Sequence, residues 1–148
     1  MLSASAALPK NGAELTELVG NRIGRVLRHA GPAQNVVDHI LATQGKMLRA
    51  QLVFLTSSLW EESNLAHVLD VAAGVELVHR ASLIHDDIVD DGIMRRGRPA
   101  TYRVFGTKEA VLAGDYLFAA AYTLFARADE HGQIIDIMSA AVREMSVG

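Results

Sequence analysis

The stretch over residues 62–90 constrains the fold of this 148-residue chain more than any other. It is apolar on several faces, holds no proline, and ends in Asp86-Asp87-Ile88-Val89-Asp90-Asp91. With Ser63 or Asn64 available as a cap, it predicts a single helix on the order of 40 Å long. A helix of that length and apolar breadth belongs inside a bundle, not on a surface. The rest of the chain agrees with this. Its only prolines are Pro9, Pro32 and Pro99, alanine and leucine dominate, and no alternating run bounded by turns marks a strand. The expectation is an all-α helical bundle, one domain over residues 1–148, with residues 1–10 as a flexible N-terminus.

The other helices follow from spacing and breakers. Leu15, Leu18, Val19, Ile23, Val26 and Leu27 recur at helical intervals from Asn11 or Ala13 onward, and Gly31-Pro32 stops them. Pro32 then opens a short helix carrying Val36, Val37, Ile40 and Leu41, and a third is expected over residues 46–60. Residues 91–106 contain Gly92, Gly97, Pro99 and Gly106 and read as a loop of functional length. Two more helices are expected over residues 107–128 and 133–147. The last has an apolar face of Ile134, Ile135, Ile137, Met138 and Val142 with nothing after it as cover, which suggests a surface completed by another chain or by a second copy.

Composition removes several function classes. The uncharged runs at residues 50–60 and 116–126 fall well short of the ~20 residues of a membrane helix. Residues 1–9 show neither the basic segment nor the apolar core of a secretory signal. The absence of cysteine excludes disulfides, thiolate zinc sites and thiol nucleophiles, and fits a cytoplasmic setting. A net charge of −3 does not mark a nucleic-acid partner, so any polyanion must meet a local patch.

The strongest local signal is the aspartate cluster. Asp86 and Asp90, four residues apart, share a helix face with Cβ atoms roughly 6 Å apart. Two bare carboxylates there repel each other and also face the negative end of the helix dipole. A divalent cation resolves that conflict, and hard carboxylate oxygens suit Mg²⁺, which takes one or two carboxylates together with substrate phosphates. A merely solvated acidic helix end is the bland alternative. Just downstream lie Arg95, Arg96 and Arg98, and upstream Lys46 and Arg49 stand on the first turn of a predicted helix. These cations either neutralise the aspartates in a surface network or grip phosphates held between the two clusters.

Four segments, in order, resemble the trans-type isoprenyl (polyprenyl) diphosphate synthases. They are Gly45-Lys46-Met47-Leu48-Arg49, then Glu76-Leu77-Val78-His79-Arg80-Ala81-Ser82-Leu83-Ile84-His85, then the aspartates with Arg95-Arg96-Gly97, then Leu112-Ala113-Gly114-Asp115-Tyr116-Leu117-Phe118. DDxxD followed after four residues by Arg-Arg-Gly is a specific combination. The resemblance runs from about the third predicted helix onward and covers the front half of a family member. The second aspartate-rich motif and the Lys-Thr and Phe-Gln segments of the family are not in these residues. Ala50 stands where the family commonly has proline, and Met47 where it frequently has a basic residue.

The resemblance implies an isoprenoid-synthase-type fold and a Mg²⁺-dependent prenyltransferase. Asp86 and Asp90 would hold the metal against the allylic diphosphate with Asp87 in support, and Arg95 would bind that diphosphate. Lys46, Arg49, His79 and Arg96 would bind isopentenyl diphosphate. Ala81 and Ser82, the small residues five and four places before Asp86, would leave the path of a growing chain open, as in members making hexaprenyl to octaprenyl products. A second protein subunit carrying the other aspartate motif would be the partner. Three rival readings stand beside this one. A non-catalytic regulatory or scaffold subunit is the first. A metal phosphohydrolase built on His85-Asp86 with His67 or His79 is the second, although it leaves the basic residues unexplained. Glu76-x-x-His79 is also half of a di-metal bundle signature, but no second copy occurs in the chain.

Overall fold

The computed structural model describes Pro9 and residues 11–28, 30–42, 45–59 and 64–147. Apart from Pro9, the expected flexible N-terminus over residues 1–10 lies outside them. The described residues form α1 (Gly12–Val26), α2 (Gln34–Leu41), α3 (Leu48–Ser57), α4 (Leu65–Val89), α5 (Thr101–Phe105), α6 (Thr107–Ala128) and α7 (Gln133–Val147). A short antiparallel ribbon of β1 (Met94–Arg95) and β2 (Arg98–Pro99) interrupts the helices, pairing Met94 with Pro99 and Arg95 with Arg98. The all-α expectation holds for the architecture, and the ribbon is its one local exception among the described residues.

Helix α1 begins where Asn11 caps it, its side-chain oxygen accepting the amides of Ala13 and Glu14 at 3.1 and 2.9 Å. Leu15, Val19 and Ile23, spaced four apart, form its buried stripe. The helix ends at Val26, earlier than the Gly31-Pro32 breaker. Gly31–Ala33 instead makes a 3₁₀ turn, entered through the left-handed Gly31, and α2 follows it. Helix α3 is shorter at both ends than the span expected over residues 46–60. Its N-cap residue Met47 has φ of +46°, which no helical residue adopts, so Lys46 lies ahead of the helix and not on its first turn. At the far end the Ser57 and Ser58 hydroxyls donate to the carbonyls of Phe54 and Leu55, a local competition that favours termination. Trp60, Glu62 and Ser63, named in the expected spans, lie outside the described residues.

Helix α4 organises the molecule. Its 25 residues, about 38 Å of helix, start at Asn64, whose side chain accepts the Ala66 amide at 2.9 Å. It packs against α6 on one flank and against α1 and α3 on the other. Small residues allow α6 to come close. A Cβ on Gly74 of α4 would overlap the buried Phe125 ring of α6, and a Cβ on Gly114 of α6 would overlap the His85 imidazole of α4. Each helix thus offers a glycine to a ring of the other. On the α1 side, Arg22 forks onto the buried Asp70 with contacts of 2.6 and 2.9 Å.

The segment over residues 91–106 is more ordered than a loop. After the ribbon, Ala100 is fully buried and α5 packs against α4 and α6, with Phe105 set edge-on to His39 of α2 at 5.1 Å. At the other end of the chain α7 packs on α6. Ile134, Ile135, Met138 and Val142 reach the core and are half-buried, whereas Ile137 is 67 % exposed. The expected uncovered apolar face therefore narrows to its outer edge. No helix among the described residues is long and apolar enough to cross a membrane.

Two glycine substitutions test this packing with opposite signs. Gly20 of α1 has open space where a Cβ would stand, so Gly20→Ala should raise stability by roughly 0.5–1 kcal/mol through helix propensity. Gly74→Ala meets the Phe125 ring and should lower it by about 1–3 kcal/mol. Urea unfolding of the two variants reads both.

Candidate functional site

The site grows from the C-terminal end of α4. Asp86, Asp90 and Asp91 are exposed there, while Asp87 is only 5 % exposed. The Asp90 amide closes the last helical bond to the Asp86 carbonyl at 2.8 Å, and Asp91 turns left-handed with φ of +51°. Gly92 then folds back so tightly that its amide donates to the Asp87 carbonyl at 2.8 Å. This return path brings the ribbon over α4. Arg95 donates to Asp87 Oδ1 through Nη2 at 2.5 Å and through Nε at 3.0 Å. That hydrogen bond, together with the attraction of Asp87, Asp86 and Asp90, holds the Arg95 guanidinium above its ordinary pKa.

Beside this pair opens a cavity of about 660 Å³ between α3, α4 and the ribbon. Six basic side chains line it, Lys46, Arg49, Arg80, Arg95, Arg96 and Arg98, against the two carboxylates Glu76 and Asp87. The imbalance gives the cavity a net positive lining that suits an anion. Arg96, left-handed at the tip of the ribbon, lays its guanidinium against Gly45, where any Cβ would overlap it. Arg80 is half-buried and donates to the Ile40 carbonyl at 3.1 Å, which ties α4 to the end of α2. His79 faces the same cavity. Burial and the nearby Arg49 charge lower its pKa from the ordinary 6.5, which favours the neutral imidazole.

The sequence candidates thus divide between two neighbouring faces of α4. Lys46, Arg49, His79, Arg95 and Arg96 come together around the cavity. Asp86 and Asp90 lie on the adjoining exposed face, one and three residues from Asp87 and about 100° and 60° of helix from it. Asp87 and Arg95 are engaged with each other, so neither stands free toward Asp86 and Asp90. Ala81 is fully buried, and the half-buried Ser82 donates its hydroxyl to the His79 carbonyl at 2.9 Å. Sequence reasoning gave no role to Arg80, counted Arg98 in the basic cluster without carrying it into the substrate-binding set, and read Glu76 only as part of a metal signature. Arg80 sits next to His79 and Arg98 closes the Arg-Arg-Gly-Arg run, so adjacency to chosen residues was the available signal.

Among the described residues no three His, Asp or Glu side chains converge into a ready metal cage. Asp86 and Asp90 are hard-oxygen donors on one exposed face, and neither forms a salt bridge among the described residues. Two such carboxylates fit a Mg²⁺ ion that keeps several waters and takes its other ligands from a phosphate ester. The phosphohydrolase alternative fares worse. His85 is packed at Gly114 with Nε2 3.3 Å from the Val111 carbonyl and 3.7 Å from Asp115. His67, on the first turn of α4, lies 19 residues and about 28 Å of helix from Asp86.

The polyprenyl synthetase family profile matches residues 32–148. Solanesyl-diphosphate synthase 2, chloroplastic, of Oryza sativa subsp. japonica is 34 % identical over 99 % of this chain and 38 % of its own length. Heptaprenyl diphosphate synthase component 2 of Geobacillus stearothermophilus is 39 % identical over 60 % of the chain and 28 % of its own. A polyprenyl synthase from Caulobacter crescentus, solved with calcium and isoprenyl diphosphate, superposes with a TM-score of 0.79 at 29 % identity over 91 % of the chain. The match covers 44 % of that structure, so these residues span less than half of the relatives they resemble. The chain belongs to the polyprenyl synthetase family.

Proposed function

We propose that these residues supply the first aspartate motif and the diphosphate cavity of a trans-polyprenyl diphosphate synthase. The reaction joins isopentenyl diphosphate to an allylic diphosphate and makes a long-chain all-trans product in the hexaprenyl to octaprenyl range. The observation that carries this reading is the acidic end of α4 lying directly beside a cavity lined by six bases against two acids. An acidic helix end on its own would call for no such neighbour.

The chain's residues account for the steps as follows. Lys46, Arg49, Arg96 and His79 hold the diphosphate of the isopentenyl substrate by charge and hydrogen bonds. Arg95, oriented by Asp87, faces the allylic diphosphate. The allylic C–O bond breaks, the electron pair leaves with the diphosphate, and the alkene of the second substrate attacks the cation to form the new C–C bond. The resulting cation loses a proton, and the released diphosphate is at hand to accept it. Mg²⁺ held by Asp86 and Asp90 would offset the charge that develops on the departing diphosphate. Ser82, small and half-buried on α4, would let a lengthening chain pass, whereas Ala81 is closed inside the core.

The other aspartate motif would come from a second polypeptide in this reading. A stripe along α3 and the turn after it, Leu48, Leu52, Leu55 and Leu59, is 60–75 % exposed and supports a further protein surface there. The name of the Geobacillus relative, a numbered component, points the same way. A cysteine-free chain without a membrane-length helix among its described residues fits work in the cytoplasm. Purification from the source cell should bring down the second chain, and a fully active monomer would overturn the partner requirement.

The decisive assay follows labelled isopentenyl diphosphate into product in the assembled enzyme with Mg²⁺. Asp86→Ala together with Asp90→Ala should lower the rate by at least about 100-fold. A scaffold subunit would lose nothing, and that result overturns the catalytic reading. A pH measurement tests His79. Its folded-state pKa lies below the unfolded value of 6.5, so the folded state resists protonation and stability falls as the pH drops through 6.5 toward the lowered value. The loss of melting temperature between pH 7 and pH 5 should accordingly be smaller in His79→Gln than in the wild type.

A further inference from the structure

Helix α3 starts without a cap of its own. Met47, its N-cap residue, is left-handed and offers no side-chain acceptor to the first turn. Ala50, the third residue of the helix, is fully buried, so its amide has no access to water. That amide donates instead to Glu76 Oε1, 3.2 Å away on α4. Glu76 is itself only 5 % exposed and lies one turn before His79 on the cavity wall.

We propose that Glu76 is a positioning residue: its carboxylate caps α3 from the neighbouring helix and so fixes the Gly45–Arg49 segment on the cavity wall. The proposal deepens the function above and rests on the reading of this cavity as a diphosphate site. Three features support it. An acceptor at the first turn of a helix satisfies an amide that nothing else reaches, and its negative charge suits the positive end of the helix dipole. The segment has a second tie from inside α3, where Gln51 Nε2 donates to the Lys46 carbonyl at 2.7 Å. Lys46 and Arg49 flank Met47, whose side chain is buried, so a shift in the start of α3 moves both cations at once. A buried carboxylate would repel a diphosphate rather than bind it directly. As a cap it spends that charge on the Ala50 amide instead.

Three variants of the assembled enzyme separate capping from mere charge. Glu76→Gln keeps the carbonyl acceptor and loses the charge. Glu76→Asp keeps the charge and withdraws the acceptor by one methylene, and Glu76→Met removes both. Amide hydrogen exchange is read at Ala50, and inorganic pyrophosphate binding is read by calorimetry. Capping predicts exchange faster by on the order of tenfold in Glu76→Asp and Glu76→Met, with pyrophosphate affinity weakened by a similar factor. Glu76→Gln should stay within about threefold of wild type in both readouts. If Glu76→Met does not fold, the Asp and Gln variants still decide the matter. Wild-type behaviour in Glu76→Asp with loss in Glu76→Gln would overturn the capping role. A wild-type protein that fails to bind pyrophosphate would instead overturn the reading of the cavity, whatever the exchange at Ala50.

Discussion

The contact between Asp87 and Arg95 separates one acidic run into two kinds of carboxylate. Four aspartates within six residues at a helix C-terminus repel one another and the carbonyl end of the dipole. Burying Asp87 against a guanidinium removes one of those charges from the competition and returns the chain over α4 as a ribbon. Asp86 and Asp90 are left outward-facing, while Arg96 and Arg98 are carried to the adjoining cavity, where they meet Lys46 and Arg49. Without that pair the ribbon would lose its side-chain anchor on α4, with only the Gly92 amide still tying the returning chain to the Asp87 carbonyl.

Much of this was legible in the sequence alone. The long central helix followed from unbroken apolar sequence ending in aspartates, and Asn64 caps it as its residue type predicts. The grouping of Lys46, Arg49, His79, Arg95 and Arg96 followed from segments that match a family. What escaped was set by tertiary contact. The left-handed Met47 delays α3, and nothing in local propensity marks a methionine for that conformation. The engagement of Arg95 with Asp87 was hidden because spacing brings Arg95 equally well to any aspartate of the cluster.

Polar residues inside the bundle were the other gap. Asp70 and Glu76 sit in an apolar helix, where a sequence reader sees only isolated acids. Their partners are Arg22, 48 residues away, and the amide of Ala50, 26 residues away. Ala50 was notable in the sequence only as a departure from proline, and its importance as a donor appears once α3 and α4 lie side by side. Glycines behave alike: Gly74 and Gly114 read as ordinary helix weak points until the rings of Phe125 and His85 fill the space above them.

One consequence lies in the stiffness of α4. His79 and Asp86 stand on the same helix seven residues apart, a separation of about 10.5 Å along the axis. The helix is locked on both flanks by α1, α3 and α6, so it works as a ruler between the basic pocket and the acidic ridge. Inserting or deleting a single residue between the two positions would swing one of them by about 100°. Substitutions along α4 leave that interval intact, because the distance between its two charged stations is a property of helical pitch.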